Sequence, residues 1–123
     1  MTTFVVPTDS VHTAAAICDY LIDRLDGDDT VHAVTSLSGD SATAADRRDG
    51  EDARNAVFAR LGGVATVETH RLDSGTTPAE DIRAVAAELG ADEIVLGAGG
   101  SPRSVTGRVV ADADRPVVVV PDA

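Results

Sequence analysis

The 123-residue chain contains no lysine, no tryptophan, one cysteine and only three aromatic residues, two Phe and one Tyr. Each scarcity excludes something. A lone Cys18 rules out an intramolecular disulfide and a cysteine-cluster metal site. At 2% aromatic residues there are no platforms for stacking single-stranded bases, and the interior has to be built from Val, Ala, Leu and Ile. No apolar stretch approaches the roughly 20 residues that span a bilayer, so no membrane partner is expected. The opening MTTFVVPTDS lacks the basic and long apolar regions of a secretory signal, and the expectation is a cytoplasmic protein.

What is abundant is negative charge. Sixteen Asp and five Glu face ten bases, all of them Arg, for a formal net charge of −11. Such a surface repels itself and repels polyanions, which excludes nucleic acid as a partner. Salt near 1 M shortens the Debye length to about 3 Å and relieves this repulsion. Zero Lys with abundant Asp is the composition expected of a protein from a salt-rich cytoplasm, a halophile-type chain.

The apolar pattern alternates between two periods. TFVVPTDS is a short apolar run stopped by Pro7, the pattern of a strand buried on both faces. Val11, Ala14, Ala15, Cys18, Ile22 and Leu25 follow at helical spacing, with Gly27 as the stop. TVHAVTSL (30–37) reads as a second strand, and the polar 38–50 as a loop. Ala53, Ala56, Val57 and Leu61 mark a second helix closed by Gly62 and Gly63, and VATVETHRL a third, more exposed strand. Thr77, Pro78 and Glu80 form a helix start ahead of Ile82, Val85, Ala86 and Leu89, with Gly90 at the end. EIVLGAGG and PVVVVP supply the last two strands. Strands alternating with helices specify one doubly wound α/β domain over 1–123, an open five-stranded parallel sheet with helices on both faces.

In such sheets ligands sit outside the carboxyl ends of the strands. That brings PTDS, after the first strand, beside GAGG, after the fourth. Asp9 suits a ligand's amine or hydroxyl, and the amides of Gly97, Gly99 and Gly100 suit phosphate oxygens. Both stretches have plainer readings: Asp9 or Ser10 as a helix cap, the glycines as a tight turn. A Walker A loop is excluded by the missing Lys. So is a response-regulator receiver, which pairs an acidic cluster with a Lys near its fifth strand. A dinucleotide fingerprint is excluded because its glycines belong after the first strand. His12, His32 and His70 are scattered along the chain, which favours packing or surface roles over metal ligation. Cys18 falls on the apolar face of a helix and reads as a small core residue. No spacing suggests a catalytic triad.

Together these residues resemble the universal stress protein family. FVVPTDS is similar to its opening strand, HAVTSL to its second, TPAEDIRAVAAELGADEIVLGAGG to its third helix and fourth strand, and RPVVVVP to its closing strand. The resemblance implies a homodimeric cytoplasmic domain with stress-related regulation and, in some members, bound ATP or AMP. Asp9 and Val34 match the positions that hold the adenosine. The phosphates of such members lie against Gly, two residues, Gly, nine residues, then Gly and Ser/Thr. Gly97 and Gly100 match the first pair, but nine residues further stand Val110 and Ala111, and Gly107 comes too early, before Arg108. A shortened fourth helix of about two turns is therefore expected near 103–111, with Val105 and Val109 facing the sheet. Arg103 and Arg108 then either supply charge to a phosphate or lie on the surface. The expectation is a non-catalytic regulatory or binding module without tight ATP binding, with AMP or adenosine the most that the loop retains. The alternatives are a nucleotide-binding (ATP/AMP) member with slow or no hydrolysis, and a structural dimerisation or partner-docking domain. The regulatory partner is unknown. The apolar Val117–Val120 strand is expected to pair with its copy in a homodimer.

Overall fold

The computed structural model describes residues 1–36, 43–72, 77–98 and 104–121. Strands and helices alternate as β1 (Thr3–Pro7), α1 (Val11–Leu21), β2 (Thr30–Ser36), α2 (Ala44–Leu61), β3 (Thr66–Leu72), α3 (Pro78–Leu89), β4 (Glu93–Gly97), α4 (Val105–Asp112) and β5 (Val117–Val120). The sheet order is β3-β2-β1-β4-β5, and every pairing among these strands is parallel. β2 and β3 are laid to one side of β1, after which the chain crosses back and lays β4 and β5 on the other. The reversal falls between β1 and β4, and this is the topological switch point at which α/β sheets bind ligands.

The continuous apolar strands are explained by burial on both faces. Phe4 and Val6 join Val31 and Ala33 in one core, beneath Ile17, Cys18 and Leu21 of α1 and Ala53, Val57 and Leu61 of α2. Val5 points the other way and joins Val34, Ile94 and Leu96 beneath Ile82, Val85 and Ala86 of α3 and Val109 of α4. Edge strands look different. β3 is exposed at Thr66, Glu68, Thr69 and Arg71, as its alternation predicts, and β5 closes the other edge with Val119 exposed.

The helix boundaries depart from the sequence expectation in three places. In α1 the buried stripe is Ala14, Ile17, Cys18 and Leu21, while Val11 and Ile22 are exposed; the helix stops at Ile22 rather than running to Gly27. α2 begins at Ala44, inside the stretch expected to be a loop. Its polar first turns stay in water and need no apolar stripe, and Thr43 starts them with a full capping box: the Asp46 amide donates to Thr43 Oγ1 at 3.1 Å and the Thr43 amide to Asp46 Oδ2 at 2.8 Å. Further along, a Cβ on Gly50 would stand 3.3 Å from Thr35, so glycine lets α2 approach β2 closely. In α4, Val109 faces the sheet as expected but Val105 is exposed, because it opens the helix beside a cleft. α3 matches its signals: Thr77 caps the Glu80 amide, Pro78 is the first residue, and Gly90 ends it in the left-handed region at φ 64°.

Two of the three histidines, far apart in sequence, come together. The β2–β3 register pairs His32 with Glu68 and Val34 with His70, which leaves His32 Nδ1 2.9 Å from His70 Nε2, one ring donating and the other accepting. Burial, then the neighbouring imidazole, holds His32 below the ordinary imidazole range, against the opposing pull of Glu68 at 3.6 Å. Cys18 sits in the core, where burial pushes its thiol up to about 11, as an unreactive packing residue requires. Among the described residues no group of three or more His, Cys, Asp or Glu is arranged to hold a metal ion, and no helix is long and apolar enough to cross a membrane.

Candidate functional site

A cleft of about 310 Å³ opens at the switch point. Its floor begins where β1 runs out. The Thr8 amide donates to the Val34 carbonyl at 3.0 Å, carrying the β1–β2 ladder one residue past Pro7. Thr8 Oγ1 donates to the Ser10 carbonyl at 3.1 Å and fixes the turn into α1. Ser10 then caps that helix, its Oγ accepting from the Thr13 amide at 3.2 Å. Between them Asp9 is exposed, lines the cleft and has no hydrogen-bond partner among the described residues. The two readings of Asp9 and Ser10 are thereby separated. Ser10 does the capping, and the Asp9 carboxylate faces the opening.

The opposite wall is the end of β4 and the start of α4. Gly97 closes β4, and the Ala98 amide donates to the Val120 carbonyl at 2.9 Å. Ser104 caps α4 by accepting from the Gly107 amide at 3.1 Å, and Thr106 Oγ1 donates to the Gly97 carbonyl at 2.7 Å. These bonds hold the N-terminus of an eight-residue helix against the strand end, where its amides and partial positive charge favour an anion. Both hydroxyl residues line the cleft. Counting nine residues from Gly100 had suggested that this half of the site was lost. In the structure Ser104 and Thr106 line the cleft. The available sequence signal was Ser104 three residues ahead of Gly107, a capping residue starting the helix that buries Val109.

The rest of the lining is mostly apolar. Val34 and Ser36 at the end of β2 and Pro78 and Ile82 of α3 contribute to it. Of the residues expected to hold a ligand, Asp9, Val34 and Gly97 line this one cavity. Gly100 and Arg103 lie outside the described residues, as does Gly99. Arg108 is exposed and absent from the lining, in keeping with a surface residue. Ser36, Ser104 and Thr106 are additions that the sequence reading missed. The cleft is thus lined by mostly apolar residues of β2 and α3, by Asp9 after β1, and by the hydroxyl residues at the start of α4.

Comparison with known proteins bears on the fold. A universal stress protein from Archaeoglobus fulgidus shares the fold, with 24% identity over 98% of both chains and a TM-score of 0.77. The structure of the Archaeoglobus fulgidus universal stress protein in complex with dAMP is likewise 24% identical over 98% of both chains, at a TM-score of 0.76. An AMP-bound universal stress protein family protein from Arabidopsis thaliana is 14% identical, covers 100% of this chain and 93% of its own, and has a TM-score of 0.78. No curated protein matches the sequence significantly. The universal stress protein family model matches residues 1–121, and the chain belongs to that family.

Proposed function

We propose that this domain is a non-catalytic regulatory module that binds a nucleoside monophosphate, AMP in the first instance, across the switch-point cleft. The observation that carries this reading is the cleft's polarity. Val34 and Ile82 offer an apolar end to a base, Asp9 an acceptor to sugar hydroxyls, and the α4 N-terminus with Ser104 and Thr106 a site for one phosphate. The dAMP and AMP complexes of the structural relatives support the same ligand class.

Two features favour the monophosphate over ATP. Only seven residues, 98–104, join β4 to α4, which leaves few amides to wrap distal phosphates. The net charge of −11 also opposes a polyanion. Among the described residues lining the cleft, the two hydroxyls of α4 are not set up for turnover either. Ser104 Oγ accepts from an amide, Thr106 donates to a carbonyl, and neither is bonded to an imidazole that would activate it. Calorimetry in molar KCl checks this. AMP is expected to bind with a Kd above about 10 μM and ATP no more tightly; ATP binding tenfold tighter than AMP, or consumption of ATP, would contradict it.

We also propose a homodimer. Val117 and Val118 are half-buried and Val119 exposed on the unpaired edge of β5, and a second copy would cover them. Light scattering in high salt at tens of micromolar is expected to give twice the chain mass; a monomer mass would reject the proposal.

A further inference from the structure

Two imidazoles meet outside the cleft lining, on the face of the sheet that His32 shares with Val34 and that α3 covers. His32 of β2 is 6% exposed, and its Nδ1 lies 2.9 Å from Nε2 of the half-buried His70 of β3. The contact is diagonal, since the register sets His32 against Glu68 and His70 against Val34. β3 is the outermost strand on its side and pairs with β2, so a side-chain bond between the two fastens an edge. The ionisable surroundings of His32 are few. Val5 of β1 stands beside it. The stripe that α3 buries, Ala79, Asp81, Ile82, Val85 and Ala86, holds one ionisable residue, Asp81, which accepts from Ser36 at the end of β2. From β3 come His70 itself and Glu68, whose Oε2 is 3.6 Å from His32 Nδ1.

A bond between two imidazoles needs a bare ring nitrogen on one of them. With both rings neutral, or with one extra proton on the pair, one ring donates and the other accepts, and Glu68 offsets the single charge. With both rings protonated, the facing nitrogens are both donors on adjacent cations. The bond is then lost and repulsion replaces it. We propose that the His32–His70 pair is a proton-operated latch on the edge strand β3, closed while either ring is neutral and released when both are charged. Two sites this close titrate as a pair rather than singly. The direction follows from burial and then from the neighbouring imidazole, which hold His32 below the ordinary imidazole range against the pull of Glu68. The folded chain thus favours neutral His32. The stability this confers is complete above about pH 6.5 and is lost as the pH falls from there through the lowered folded value. The latch does not depend on what the cleft binds.

The test combines thermal melts with amide hydrogen exchange, corrected for the intrinsic effect of pH, in molar KCl so that the net charge is screened. The range runs from about pH 8 to about pH 5, where imidazoles are the side chains that ordinarily titrate. Wild type is expected to lose roughly 5 °C or more of melting temperature on acidification. The β3 amides should lose at least about tenfold in protection while those of β4 keep theirs. His70→Gln offers an uncharged partner that can accept from a protonated His32, and its loss in melting temperature should be less than about half that of wild type. Glu68→Gln removes the carboxylate that offsets the first charge, and release should come at a higher pH. Equal loss of protection in β3 and β4 would mean that the whole fold answers to charging a buried ring, and overturns the latch. So does a wild-type melt that acid leaves unchanged, or an acid response that both variants leave as it was. Should either variant fail to fold, the wild-type exchange pattern decides alone.

Discussion

In about 10 mM salt the protein is expected to melt early and with little cooperativity, and molar KCl or NaCl is expected to restore a sharp transition. The chain spreads a net charge of −11 over 6488 Å² of surface, roughly 590 Å² per net charge, or a spacing of about 24 Å. At 0.01 M the Debye length is about 30 Å and exceeds that spacing; at 1 M it is about 3 Å and the charges no longer sense one another. That net charge already counts the ten arginines, three of which sit beside an acid. Arg60 pairs with Asp19, Arg83 with Asp112 and Arg115 with Asp114. Some of the other arginine contacts go to neutral acceptors. Arg24 lies over the Tyr20 ring and bonds its carbonyl, Arg54 bonds Thr35 Oγ1, and Arg115 also bonds the carbonyls of Ala86 and Ala91. A few kcal/mol of repulsion is a large share of a total stability of about 5–15 kcal/mol. For a domain of this size that corresponds to a shift of roughly 10–20 °C in melting temperature. Circular dichroism showing the same cooperative melt from millimolar to molar salt would contradict the expectation.

Asp9→Ala is expected to lower AMP affinity by about tenfold to a hundredfold while leaving the melting temperature unchanged or slightly higher. The carboxylate is exposed and caps nothing, so removing it takes away no structural bond and relieves one negative charge. Its loss should be felt only by the ligand, at about 1.5–3 kcal/mol for a charge-assisted hydrogen bond. The neighbouring residue should behave in the opposite way. Ser10→Ala removes the cap of α1 and should cost about 1 kcal/mol of stability with little effect on affinity, because Ser10 lies outside the cleft lining. Calorimetry and thermal melts on the two variants check the pair. Equal affinity in wild type and Asp9→Ala would place the ligand elsewhere.

How much of this was legible in the sequence depended on how local each signal was. α3 announced itself because Thr77, Pro78 and Gly90 act through neighbouring backbone atoms. The first turns of α2 were read as loop because they carry no apolar stripe; their start is fixed by Thr43 and Asp46, a capping box written with Asp rather than Glu or Gln. In α1 the apolar positions supported more than one stripe, and packing against the sheet chose the one through Ile17 and Leu21, leaving Val11 and Ile22 in water. Asp9 and Gly97 were placed at the cleft by the rule that ligands bind at the ends of parallel strands, and Val34 by the family resemblance; all three line the cavity. Ser104 and Thr106 were missed because a fixed count was applied to a connection of a different length. The bond between Ser36 and Asp81 and the contact between His32 and His70 span 45 and 38 residues of sequence. Only the strand register and the placement of α3 bring those side chains together.

The central claim, that the switch-point cleft holds a nucleoside monophosphate in one orientation, is tested most directly by a crystal structure grown in high salt with saturating AMP. The expected result is a base between Val34 and Ile82, a ribose within hydrogen-bond distance of the Asp9 carboxylate, and a phosphate at the α4 N-terminus beside Ser104 and Thr106. An empty cleft at saturating AMP, or a nucleotide bound with its phosphate against β2 and α3, would contradict it.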